Sequence, residues 1–263
     1  MLRRRCGSTT PLVAVLVLCT TATGCGGVPR TTSGTTAGPT TKIAVFAARS
    51  LTEALGDQEA ALASTAPDLD VTFSFAGSGT LVTQITGGAP ADVIATADEE
   101  SMATLVAADL VETPRTFARN RLAIITEPGN PKGITGLADL ARPGLVVVLC
   151  ANTVPAGRYT AEVLQRAGVT VTPRSRELDV KAAIAKVTAR EADVTIGYVT
   201  DARAQGPRAA NVEIPDEQNV VATYPVAILE RTTNRPAAVA YVEDLLSGAG
   251  RSALQARGFV PAS

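Results

Sequence analysis

From Lys42 onward the sequence alternates between a period of two and a helical period, and that alternation restricts the chain to an α/β architecture. Ile43 and Val45 flank Ala44 in KIAVFAA, and Val71, Phe73 and Phe75 recur at every second position in DVTFSFAG, so both predict strands with one apolar face. Between them Leu51, Leu55 and Leu62 keep roughly helical spacing. The order then repeats. ADVIATA predicts a strand, Met102 and Leu105 mark a helix, RLAIIT predicts a strand, and the run Leu145–Leu149 suits a short buried parallel strand. Pro155, whose fixed φ fits a first helical turn, opens a helix that stops at Gly168. Asp179 is a natural N-cap for a further helix carrying Val180, Ile184 and Val187 inward. VTIGY and YPVAIL predict strands, and a helix from about Pro236 through Tyr241 and Leu245 closes the chain.

The residues before Lys42 have a different character. MLRRRC, an apolar run from Leu12 to Cys19 and the small polar stretch TTATGCGG have the layout of an export signal, with an apolar core too short to span a bilayer. Ala22-Thr23-Gly24-Cys25 resembles a bacterial lipobox, which implies lipidation at Cys25, although Ala22 stands where leucine is usual; a plain secretory signal cut nearby is the alternative. Residues 1–24 are thus expected to be removed, and residues 25–41, rich in Gly, Ser, Thr and Pro, to form a flexible tether. Removing 1–24 takes away Arg3, Arg4 and Arg5 and no acid, and moves the formal charge from −1 to −4. Cys6 and Cys19 leave with the signal, so Cys150 is the one cysteine of the folded part and no internal disulfide is expected. A buried, inert thiol is the ordinary outcome for such a residue.

Absences exclude whole function classes. The 263 residues contain no histidine, which removes Ser-His-Asp and Cys-His couples, histidine-ligated zinc and a histidine general base. Aromatics make up 3% and the chain is not basic, so no nucleic-acid partner is expected. What remains is a set of strand-to-helix junctions bearing small hydroxyl residues and glycine: AARSLTEAL, FAGSGTLVTQI, NTVPAGRYTAEVL and LDVKAAIAKV. A helix start presents free N–H groups and the positive end of the helix dipole, which together hold anions without a charged side chain. Each serine also has an ordinary reading. Ser50-Leu51-Thr52-Glu53 is a capping-box pattern, and Ser78 between Gly77 and Gly79 suits a turn.

The segments VFAARSLTEALGD, FSFAGSGTLVTQITGGAPADVIATAD, ARNRLAIIT, VPAGRYTAEVL, LDVKAAIAKV, GYVTDA and YP, in this order, resemble the molybdate-binding component of bacterial ABC transporters over residues 42–260. The resemblance implies a type II periplasmic binding fold, two α/β lobes joined by two crossover strands with a ligand cleft between them. RLAIIT and YPVAIL match the crossovers. Lobe 1 is then discontinuous, 42–122 plus 226–263, and lobe 2 spans 123–225. Position by position, the family's oxyanion ligands fall on Ser50 and Ser78, on the backbone donors of Ala156 and Val180, and on the Tyr198 hydroxyl. One departure stands before VPAG, where the family often has Gly-Asp-Pro and this chain has Leu149-Cys150-Ala151-Asn152.

The implied function is extracytoplasmic capture of molybdate, with tungstate as a near-isostere, and delivery to the membrane permease of an ABC transporter by a monomer anchored through its N-terminal lipid. No metal site or cofactor is implied, because molybdenum arrives as the oxyanion itself, and no enzymatic activity. Sulfate or thiosulfate binding on the same fold is the alternative. A serine hydrolase using Ser50 or Ser78 is a remoter one, since there is no histidine and no Ser-x-x-Lys or Gly-x-Ser-x-Gly pattern. The donor set has its own logic: a fully deprotonated oxyanion only accepts hydrogen bonds, so its pocket needs donors and no carboxylate. Asp179 and Asp201 lie beside candidate positions, and Arg158, one turn into its helix, either lends positive potential to the cleft or is paired structurally.

Overall fold

The computed structural model describes residues 40–262. The expected signal, the tether and Cys25 lie outside the described residues. In chain order the elements are β1 (Thr41–Ala48), α1 (Thr52–Thr65), β2 (Leu69–Ala76), α2 (Ser78–Thr86), β3 (Val93–Ala95), α3 (Glu99–Ala107) and β4 (Arg115–Thr126). There follow β5 (Val148–Cys150), α4 (Pro155–Arg166), β6 (Ser175–Glu177), α5 (Val180–Thr188), β7 (Val194–Tyr198), α6 (Val199–Gln205) and β8 (Ala210–Glu213). The chain ends with β9 (Val221–Ile228), α7 (Arg235–Ser247), α8 (Ala249–Ala256) and β10 (Val260–Pro261). The strand expected over Leu145–Leu149 forms at Val148–Cys150, and β6, β8, α6, α8 and β10 are short elements that the sequence did not predict.

Two sheets share one strand. In the first, β1 lies between β2 and β3, parallel to both, and β9, β4 and β10 follow antiparallel. The amino-terminal half of β4 pairs with β9 from Arg115↔Val226 to Arg121↔Val221, with an irregularity between Thr116 and Ala118. Its carboxyl half, Leu122 to Thr126, passes into the second sheet, between β7 and β8. A parallel bridge Val147↔Val194 sets the β5–β6 pair beside β7. The molecule therefore has two α/β lobes connected through β4 and β9, the fold the sequence implied. The expected lobe boundaries at 122/123 and 225/226 fall inside these two strands.

Twelve residues suffice for β4 to serve both sheets because a strand advances ~3.3 Å per residue, ~40 Å in all. Ala123, Ile124 and Ile125 are fully buried where it enters the second lobe, so the crossover is part of the core rather than an exposed linker. The parallel strands β1, β2 and β3 in one lobe, and β5, β6 and β7 in the other, aim their carboxyl ends at the gap between the lobes. That is where ligands bind in open α/β sheets.

Candidate functional site

All four strand-to-helix junctions singled out in the sequence meet at this gap. Ser50, Ser78, Ala156, Val180 and Tyr198 line one small cavity of ≈ 20 Å³ between the lobes, together with Arg49, Pro155 and Asp179. Each is buried. Ser78 is the first residue of α2, with Gly77 as its N-cap. Pro155 is the first residue of α4, making Ala156 the second, and Val180 is the first residue of α5. Helix starts leave their first amides without intrahelical acceptors. Among the described residues the N–H groups of Ser50, Ser78, Ala156 and Val180 meet no other backbone acceptor.

The structure corrects the ordinary reading of Ser50. The chain enters α1 through a 3-10 turn, Arg49–Leu51, and the N-cap of α1 is Leu51, with no side-chain cap. Neither half of the capping box forms. Ser50 Oγ instead lies 3.1 Å from Tyr224 Oη across 174 positions of sequence, and Glu53 reaches Lys181 Nζ with both carboxylate oxygens at 2.8 Å. Ser78, expected in a turn on its ordinary reading, starts a helix, and its Oγ accepts a hydrogen bond from Ala97 N at 3.1 Å. Tyr198 Oη is buried with no hydrogen-bond partner in the protein.

Burial drives the Tyr198 and Tyr224 hydroxyls well above the usual phenol range, so both stay protonated at physiological pH. The two carboxylates near the site each stand beside a basic side chain. Asp179 caps α5, its Oδ1 accepting from Ala182 N at 2.8 Å, and its Oδ2 stands 4.0 Å from Arg49 Nε. Asp201 is fully buried, and burial raises its pKa to about 6 against the opposing pull of Lys181, whose Nζ is 2.9 Å from Oδ1 in a contact outside hydrogen-bond geometry. Burial works against the charge on Lys181 as well, but Asp201 and Glu53 together outweigh it and hold the ammonium above its ordinary value. Arg158 is paired structurally: its guanidinium meets Asp98, with Glu100 at 3.0 Å and Ser101 Oγ at 3.0 Å, and so ties α4 to the start of α3. Cys150 ends β5 fully buried, with its thiol pushed up chiefly by burial. Among the described residues no grouping of His, Cys, Asp or Glu has the makings of a metal site.

Two contributors escaped the sequence reading. Tyr224, on β9, backs the Ser50 hydroxyl; the YP pair marked the crossover, but nothing local signals a partner so remote in sequence. Gly157 holds the start of α4 against the preceding loop, since a Cβ there would stand 1.9 Å from Ala151 O. The glycine of VPAG is therefore required by the packing that places the Ala156 amide.

A two-lobed α/β protein with inward-facing neutral donors in a closed cleft is a solute-binding protein by class. Residues 43–260 match the family model described as bacterial extracellular solute-binding protein, and the chain belongs to that family. It is 38% identical over 249 residues to the molybdate-binding protein ModA of Mycobacterium tuberculosis H37Rv, covering 94% of each chain. The structure is similar to the periplasmic molybdate-binding protein of Azotobacter vinelandii, with a TM-score of 0.73 at 19% identity over 84% of this chain and 100% of that one. It is similar to the sulfate-binding protein SubI of M. tuberculosis H37Rv to the same degree, with a TM-score of 0.73 at 20% identity over 85% of this chain and 88% of that one.

Proposed function

We propose that this protein captures molybdate in the cavity between its lobes and delivers it to the permease of an ABC transporter. The observation that carries the reading is the convergence of Ser50, Ser78, Ala156, Val180 and Tyr198, all neutral donors, on a cavity of ≈ 20 Å³. Pockets for organic solutes run to ~300–1,000 Å³. So small a space suits an ion of a few atoms, and donors alone suit one that is fully deprotonated. The 38% identity to a molybdate-binding protein over nearly the whole chain supports molybdate as that ion. Tungstate, of nearly the same size and charge, binds alongside it.

Ser50 and Ser78 act as ligands and not as nucleophiles. Ser50 Oγ contacts a phenol and Ser78 Oγ accepts from an amide, and neither is positioned by a general base. No resident cofactor is needed. The protein works outside the cytoplasm as a monomer, held to the membrane by lipid on Cys25. Among the described residues no helix is long and apolar enough to cross a membrane.

Isothermal titration of the mature protein with molybdate, tungstate and sulfate tests the reading. Binding of molybdate and tungstate in the sub-micromolar range with weak sulfate binding is expected. Tight sulfate binding with weak molybdate binding would transfer the assignment to sulfate, the alternative that the likeness to SubI keeps in view.

A further inference from the structure

We propose that Tyr224 is a positioning residue that sets the direction of the Ser50 hydroxyl proton and thereby disfavours protonated oxyanions in the cavity. The inference rests on the reading of this cavity as an oxyanion site. It begins from the unequal certainty of the two serine hydrogen bonds. Ser78 Oγ is met from behind by Ala97 N–H, which can only donate, so the Ser78 proton is free to point into the cavity. Ser50 Oγ is met from behind by the Tyr224 hydroxyl at 3.1 Å, which can donate or accept. A hydroxyl carries one proton. If Ser50 gave its proton to Tyr224, it would turn a lone pair toward an anion that is itself only an acceptor. The site works only when Tyr224 donates, Ser50 Oγ accepts, and the Ser50 proton points inward.

The packing holds Tyr224 in place for that bond. It is fully buried on β9, with its ring edge-on to Phe117, Tyr198 and Phe259 at centroid distances of 6.3, 5.8 and 5.4 Å, so its oxygen is held beside Ser50 Oγ. Asn120 and Tyr198 border the same hydroxyl. The Asn120 amide donates one of its two N–H groups to Thr200 Oγ1 at 2.8 Å and accepts from Arg121 N at 2.9 Å at its carbonyl, which leaves a second N–H on the side of the Tyr224 oxygen. Both serines then present the same polarity, a donor behind and a proton in front, and chained hydrogen bonds of this kind strengthen one another. The same arrangement bears on selectivity. Hydrogen phosphate carries an O–H that needs an acceptor, and with Tyr224 donating to Ser50 Oγ the serine turns its proton, not a lone pair, toward the ligand.

The test is a double-mutant cycle of Ser50→Ala and Tyr224→Phe, read by titration with molybdate, with sulfate and with inorganic phosphate. Because molybdate and sulfate are both acceptor-only, the cycle is read with whichever of them the wild type binds. A preference for sulfate would overturn the molybdate assignment and leave this inference testable. Tyr224→Phe is expected to weaken the acceptor-only oxyanion about tenfold, the worth of one oriented charge-assisted bond, and to narrow its margin over phosphate. In the Ser50→Ala background it should have almost no further effect. An equal effect of Tyr224→Phe with and without Ser50, or an unchanged margin over phosphate, would overturn the proposal. A second measurement does not depend on the variant folding: NMR of the wild type should place the Tyr224 hydroxyl proton near the Ser50 β-protons, and its location beside the Tyr198 ring would equally overturn it.

Discussion

Residue by residue, the cleft separates groups that cannot titrate from groups that can. Donors at the cavity are backbone amides, serines and a phenol whose burial keeps it protonated, so oxyanion affinity should stay flat from neutral to mildly alkaline pH. Ser78 is the cleanest single test of the donor set, because its proton direction is fixed by Ala97. Ser78→Ala should cost ~1–3 kcal/mol of binding by calorimetry and leave the fold intact. Asp201 is the titrating exception. Its folded pKa of about 6 lies above the ordinary carboxyl value of 3.8, so between those values the native state holds a proton that the unfolded chain has released. Its contribution therefore favours folding below the lower value and is lost as pH rises through the upper one. Denaturant titrations of wild type and Asp201→Asn at pH 4 and pH 7 should show wild type losing stability relative to the variant at the higher pH. A difference independent of pH would place the Asp201 titration elsewhere.

For single elements, the starts of helices line the cavity, and each start is fixed by a different device. Asp179 caps α5, Pro155 opens α4, and α1 is entered through a 3-10 turn. The first two were legible in the sequence because cap and proline chemistry is local. The third was not: Ser50 and Glu53 satisfy the capping-box pattern, and partners in other elements, Tyr224 and Lys181, draw both side chains away from it. Gly157 shows the same limit from the packing side. A methyl group there meets Ala151 O at 1.9 Å, so the first turn of α4 would have to shift and carry the Ala156 amide with it. Gly157→Ala should cost ~1–3 kcal/mol of stability as an overpacking change, seen as a lowered unfolding midpoint, and weaken oxyanion binding at the same time. Retained affinity and midpoint would mean that the loop yields at no cost.

Across the whole molecule, the lobes are held together around the cavity by contacts that a binding protein must make and break. Lys181 on α5 is paired within its own lobe to Asp201 and across the gap to Glu53 on α1, one turn beyond Ser50. Glu53→Gln should speed oxyanion release a few-fold in stopped-flow measurements, consistent with ~0.5–1 kcal/mol for a partly exposed pair, and should make release less sensitive to salt. Gly79, in the first turn of α2, lies against the opposite lobe, where a Cβ would stand 2.6 Å from Thr153 O. Gly79→Ala is expected to leave the unfolding midpoint near wild type while holding the ligand-bound lobes apart by small-angle scattering; a normal closed envelope would rule out this contact as the stop. The sequence by itself determined the α/β class and the strand-to-helix junctions, since periodicity, caps and small residues are written over a few neighbouring positions, and its resemblance to the molybdate-binding family singled out Ser50, Ser78, Ala156, Val180 and Tyr198. It also excluded imidazole chemistry outright, because composition needs no fold. Only the tertiary structure decided which hydroxyl lies behind Ser50, which lysine spans the gap and which glycines admit the opposite backbone. Those contacts join residues 74 to 174 positions apart, and their partners are chosen by how the strands cross.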